Sequence, residues 1–176
     1  ALAQESGIVS ASIQSLYEAM GRGEVSGFTV PAVNIRGLTY DSSRAVFRAM
    51  AEGGVGPVIF EIAKSEIGYT EQRPDEYAVV ILAAAIREGY AGPVFLQGDH
   101  FQINAKKFGA DPAGEVSTLK AIAREAVEAG FFNIDIDAST VVDLSKGTIE
   151  EQQFNNSHIT AEMTKFIRGL EPKGVT

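Results

Sequence analysis

From residue 28 onward, short apolar runs alternate strictly with longer amphipathic stretches, and this is the feature that most constrains the fold. The short runs fall at 28–34, 57–63, 93–97 and 132–137, and the longer ones at 41–53, 74–88, 112–129 and 148–170. Brief apolar runs suit strands buried on both faces, and apolar residues three or four apart over longer stretches suit helices. Four β/α units in a row require a parallel sheet, because each crossover helix returns the chain to the same end. Helix punctuation agrees with this reading. Pro74 and Pro112 stand at first helical positions, Asp111 precedes one as a cap, and Gly89 and Gly130 stand just past helix ends, where a left-handed residue closes the last turn.

Ahead of this array, Ile13, Leu16, Tyr17 and Met20 repeat at helical spacing before the Gly21-Arg22-Gly23 break, so residues 1–27 are expected to form a flanking helix. Residues 28–176 then form one α/β unit, with a further strand expected to begin near residue 174. Two architectures fit: an open doubly wound sheet and a closed (β/α)8 TIM barrel. At this spacing eight units need roughly 300 residues, within the barrel range, so the chain would hold the first four. A dinucleotide-binding sheet needs three glycines after its first strand, and Asn34-Ile35-Arg36-Gly37-Leu38 supplies one. The first half of a barrel is the preferred expectation.

Function classes narrow next. A net charge of −8 disfavours nucleic acid and anionic membranes, which attract basic surfaces. No run approaches the ~18 apolar residues of a membrane span, and no basic-then-apolar leader opens the chain, so a cytoplasmic protein acting on small molecules is expected. Without cysteine, any metal must be bound through His, Asp or Glu.

In a parallel α/β sheet, functional groups gather at the carboxyl ends of the strands. There Pro93-Val94-Phe95-Leu96-Gln97 runs into Gly98-Asp99-His100, a carboxylate beside an imidazole. Such a pair can move a proton while a bound metal polarises a carbonyl. The bland alternative is a hydrogen-bonded histidine; the strand-end position favours chemistry. Residues 132–137 alternate, so Asn133, Asp135 and Asp137 share one face and Phe132, Ile134 and Ile136 the other. Buried carboxylates there must be paired, protonated or bound to a cation. Glu61 is read as pairing with Lys64 or Arg36, Asn34 as binding either a substrate hydroxyl or its own turn, Lys106-Lys107 as solvated, and His158 as lying on a solvated flank near Glu162.

These residues resemble class II fructose-bisphosphate aldolases over roughly residues 28–170. The likeness lies in Val30-Pro31-Ala32-Val33-Asn34, Gly56-Pro57-Val58-Ile59-Phe60-Glu61, Gly98-Asp99-His100 and Ile136-Asp137-Ala138-Ser139. The resemblance implies that His100 is one of three zinc histidines, Asp99 the acid/base, Asp137 a carboxylate near the metal, and Asn34 a substrate-site residue. The implied reaction is reversible cleavage of a ketose 1,6-bisphosphate to dihydroxyacetone phosphate and an aldehyde, with Zn2+ polarising the ketone. Where the family has a phosphate-binding serine, this chain has Ala63, with Ser65 nearby as a substitute. A homo-oligomer of two or more subunits is the accompanying expectation. Glu61, Gly68-Tyr69-Thr70 and Gly98-Asp99-His100 are also similar to the non-catalytic-type subunit of tagatose-bisphosphate aldolase and its epimerase-like relatives, which implies an assembly subunit or a sugar-acid epimerase instead.

Overall fold

The computed structural model describes residues 1–172, so the strand expected near residue 174 lies outside the described residues. The elements run α1 (Leu2–Glu5), β1 (Ile8–Ser10), α2 (Gln14–Gly21), β2 (Ala32–Asn34), α3 (Thr39–Gly53), β3 (Ile59–Ala63) and α4 (Lys64–Thr70). They continue with α5 (Pro74–Arg87), β4 (Gly92–Gln102), α6 (Ala105–Ala110), α7 (Pro112–Glu128), β5 (Asn133–Asp137), a 3-10 turn (Ser139–Val141) and α8 (Ile149–Arg168). All strand pairs are parallel. The order β2-β3-β4-β5 follows the chain in one direction, and β1 pairs with the first residues of β4. The fold is an α/β domain around a parallel sheet.

Helices α3, α5, α7 and α8 each pack on the next. Their apolar stripes, Phe47 and Met50, Tyr77 and Ile81, Leu119 and Ala123, Ile159 and Met163, meet Phe60, Ile62, Leu96 and Phe101 in one core on one face of the sheet. Alternation along each strand sends the intervening side chains to the opposite face. There Ile59 and Phe95 pack with Ile13, Leu16 and Val30, so the start of the chain covers the amino-terminal end of that face. Beyond this apolar floor, Asn34, Glu61, Gln97 and Asn133 lie in register across four strands.

Residues 1–27 do not form one flanking helix. Gly7 adopts φ +73°, which ends α1 after one turn, and Ile8 is then wholly buried as part of β1. The helical spacing of the segment serves α2 alone. Asn133 fastens the junction: its Oδ1 accepts from the Ile13 N–H at 2.9 Å and its Nδ2 donates to the carbonyls of Leu96 (2.9 Å) and Ala11 (3.3 Å). Expected strand 28–34 shortens to Ala32–Asn34; Pro31 has no N–H to donate to a ladder. The Asn104 cap and the Asp111 cap divide the stretch after β4 into α6 and α7.

The largest departure lies in β4, which continues through Asp99-His100 to Gln102 rather than ending at residue 97. Gly98 pairs with Ile134 and Phe101 with Ile136, so Asp99 and His100 together oppose the single residue Asp135. This is a β-bulge. It changes the phase of the pleat. Gln97 and Asp99 face the polar side before it, Gln102 does so after it, and Phe101 turns into the helix-side core. His100 absorbs the irregularity at φ +42°, a left-handed conformation that costs a non-glycine residue of order 1 kcal/mol or more.

Gly98 is required by the same feature. A methyl group there would lie 2.6 Å from Phe101 Cε1 and 2.7 Å from Cζ, and the Phe101 ring is fully buried and has nowhere to move. Gly98→Ala is expected to cost about 1–3 kcal/mol in urea unfolding. Gly109→Ala on α6, where an added methyl meets nothing within 4 Å, is expected to be neutral or to gain up to about 1 kcal/mol. Equal effects at both positions would show that Phe101 does not impose the requirement.

Candidate functional site

A cavity of about 630 Å³ opens at the carboxyl ends of β2, β3 and β4. Asn34, Ser65, Asp99 and His100, singled out from the sequence, all line it, as does Glu61. The bulge sets the chemistry at its mouth. Without the extra residue, regular alternation would turn Asp99 and His100 to opposite faces; with it, ligand atoms of Asp99, His100 and Asp135 lie within 4.8 Å of one another. The Asp135 carboxylate accepts from the His100 N–H at 3.1 Å and lies 3.7 Å from its Nδ1. Asp99 Oδ2 lies 3.9 Å from Nε2 on the other side of the ring.

Asp137 sits 3.3 Å from His100 Nδ1, outside that group of three. Its Oδ1 accepts from the Ser139 N–H at 3.0 Å and the Ser139 hydroxyl at 2.6 Å, and its Oδ2 accepts from Gln102 Nε2 at 2.5 Å. Asp137 is thus held by Ser139 and Gln102 beside the imidazole, and Asp135 is the carboxylate of this strand that joins Asp99 and His100 in the group of three.

Environment separates the acids. Burial raises the Asp99 carboxyl above its ordinary range, and Asp135 and Glu66 add repulsion while His100 opposes them. The Asp99 charge raises His100, against the effect of burial. Burial also pushes Asp137 upward, but the bonds from Ser139 and Gln102 outweigh it and leave the carboxyl low. Glu61 is raised by burial and by Asp99. A group held toward its protonated form beside one held ionised is the arrangement that acid–base chemistry uses.

Glu61 does not pair with Lys64 or Arg36. It accepts from Gln97 Nε2 at 2.9 Å, because acids from farther along the chain occupy both cations. Glu66, 6% exposed, accepts from Arg36 Nη1 at 2.6 Å, Asn34 Nδ2 at 2.8 Å and the Ala63 N–H at 2.9 Å. Glu115, 4% exposed, accepts from Lys64 Nζ and the Asn104 N–H, both at 2.9 Å. Neither glutamate stood out in the sequence; each sits in the first turn of a helix, where acids are common for dipole reasons alone. The Glu66 position, three residues into its helix, carries the signal of half a capping box. Asn34 thus holds Glu66 while lining the cavity. Lys107 lines the cavity and Lys106 is exposed. His158 is exposed and stacks on Phe154 with ring centroids 4.2 Å apart, on the flank expected for it.

No family model matches the chain, and no curated protein sequence is detectably similar to it. Among solved structures, it is similar to a probable tagatose 6 phosphate kinase from Sinorhizobium meliloti 1021, at a TM-score of 0.55 and 19% identity. That match covers 80% of this chain and 37% of the other, so this chain spans little more than a third of that protein. The likeness is one of fold. Among the described residues, no helix is long and apolar enough to cross a membrane.

The Lys64–Glu115 contact has a pH signature. Burial opposes ionisation of Glu115, but the Asn104 N–H and Lys64 win and hold it below its ordinary value of 4.5. A depressed carboxyl contributes stability that is complete above the unfolded value and lost as the pH falls through the folded one. In urea unfolding from about pH 6 to about pH 3, the wild type should lead Glu115→Gln at the upper end and lose that lead at the lower. A lead unchanged at low pH would locate the effect in packing rather than charge.

Proposed function

We propose that this chain is the amino-terminal half of a (β/α)8 barrel of the class II aldolase type, catalysing metal-dependent aldol cleavage of a ketose bisphosphate. The single observation that carries the reading is the bulge in β4, which gathers Asp99, His100 and Asp135 at the carboxyl end of the sheet. One-directional strand order, helices stacked on one face and a polar layer on the other support a barrel half, since barrel interiors are built from such layers. The fold neighbour is described as acting on tagatose 6-phosphate, which agrees with a sugar-phosphate substrate.

An imidazole and carboxylates whose ligand atoms converge within 4.8 Å fit a divalent cation such as Zn2+, with further ligands from water or other strands. Once bound, the cation would supply Lewis-acid polarisation of a carbonyl. Burial drives the Asp99 carboxyl toward its protonated form. It is therefore assigned proton exchange with the substrate oxygen, and His100 and Asp135 are assigned to the cation. Asn34, Arg36 and Ser65 line the same cavity and offer donors to hydroxyl and phosphate oxygens.

A second reading, an assembly subunit of the tagatose-bisphosphate aldolase branch, is favoured by Ala63 where a phosphate-binding serine is expected and by Glu61 facing the cavity. Zinc uptake by this chain, and release of triose phosphate from fructose and tagatose 1,6-bisphosphates by the full-length protein that carries it, discriminate between the two. The aldolase reading expects His100→Ala to lose zinc, EDTA to abolish cleavage, and Asp99→Asn to lower the rate about 10²–10⁴-fold. Wild-type zinc uptake no better than that of His100→Ala, with no cleavage, would overturn it. Full activity of an assembled complex carrying His100→Ala would favour the assembly subunit.

A further inference from the structure

We propose that Gln102 is a positioning residue that fixes the working tautomer of His100 by acting through Asp137. Gln102 reaches the polar face only because the bulge shifts the pleat; one residue fewer and Phe101 would stand in its place. In register with Asp137 across the β4–β5 pair, it donates from Nε2 to Asp137 Oδ2 at 2.5 Å. An ionised carboxylate only accepts, so the amide must present its NH2 side. Ser139 occupies Oδ1 with two bonds, which leaves Oδ2 to be shared between Gln102 and His100 Nδ1. The group facing that oxygen must then be Nδ1–H, and Nε2 keeps its lone pair on the side of Asp99.

The Gln102 backbone is anchored as well, because its carbonyl accepts from Lys64 Nζ at 2.7 Å, and Lys64 is held by Glu115. A connected path thus runs from Glu115 on α7 through Lys64, Gln102 and Asp137 to the imidazole. Partners of this kind decide which ring nitrogen of a histidine is available to a metal or a proton. The role rests on the proposed reading of His100 as a metal-binding residue, but its first readout is independent of any reaction.

The chain holds two histidines, so long-range 15N–1H NMR of the imidazoles gives two signals, with His158 as an internal reference. At about pH 9, where histidine is neutral, wild-type His100 is expected as the Nδ1–H tautomer. In Gln102→Met it should become a mixture with Nε2–H while His158 is unmoved, and zinc affinity should fall about 10–100-fold. Ser139→Ala, on an exposed turn, provides a second variant that loosens the same carboxylate, and decides the matter if Gln102→Met also disturbs His158. A wild-type ring in the Nε2–H form would overturn the proposal, as would a His100 tautomer that neither variant changes. If the tautomer responds as expected but the wild type takes up no zinc, the positioning role stands and the aldolase reading falls.

Discussion

The site depends on one irregularity of hydrogen bonding: two residues of β4 facing one residue of β5. A regular ladder would alternate side chains without exception, and Asp99 and His100 would never share a face. The bulge breaks that rule at the cost of a left-handed histidine and a glycine beneath a buried phenylalanine ring. Strain of this kind persists only where the surroundings over-determine it. Here the helix-side core holds Phe101 while Asp135 and Asp137 hold His100 from the opposite strand.

Around that point the structure handles buried charge by using acids from outside the sheet to neutralise cations at strand ends. Glu66 and Glu115 are nearly inaccessible, and each is satisfied by backbone and side-chain donors, the condition for an ion to persist inside a protein. Their engagement leaves Glu61 with an amide rather than a cation for company. Burial and the nearby Asp99 raise its carboxyl, burial raises that of Asp99 as well, and both line the same cavity.

The order of strands and helices was legible in the sequence because burial imposes periodicity, and Pro74, Pro112, Asp111, Gly89 and Gly130 marked helix ends through local backbone needs. The importance of Asp99 and His100 was legible from their place after an apolar run. Their placement inside a strand was not, because a bulge inserts one residue without a composition of its own; Gly98 was its sole trace, and a glycine there reads equally as a loop. Strand β1 escaped notice because three residues carry no period and its partner is some eighty positions away. The pairings of Glu61, Lys64 and Arg36 were misjudged for the same reason: proximity along the chain suggested partners that tertiary contacts gave to Glu66 and Glu115.

The floor of the polar face has a consequence for how the protein comes into being. Ile13 is bonded to Asn133, a separation of 120 residues, and β1 finds its ladder only on β4. A ribosome adding about 5–20 residues per second delivers Asn133 on the order of ten seconds after Ile13 has emerged. Ile13 and Leu16 wait first for Ile59 and then for Phe95 to pack against, and the segment is fastened only when Asn133 follows. The apolar side chains of this segment therefore stay open to other contacts until β4, the strand that carries the bulge, arrives to receive β1.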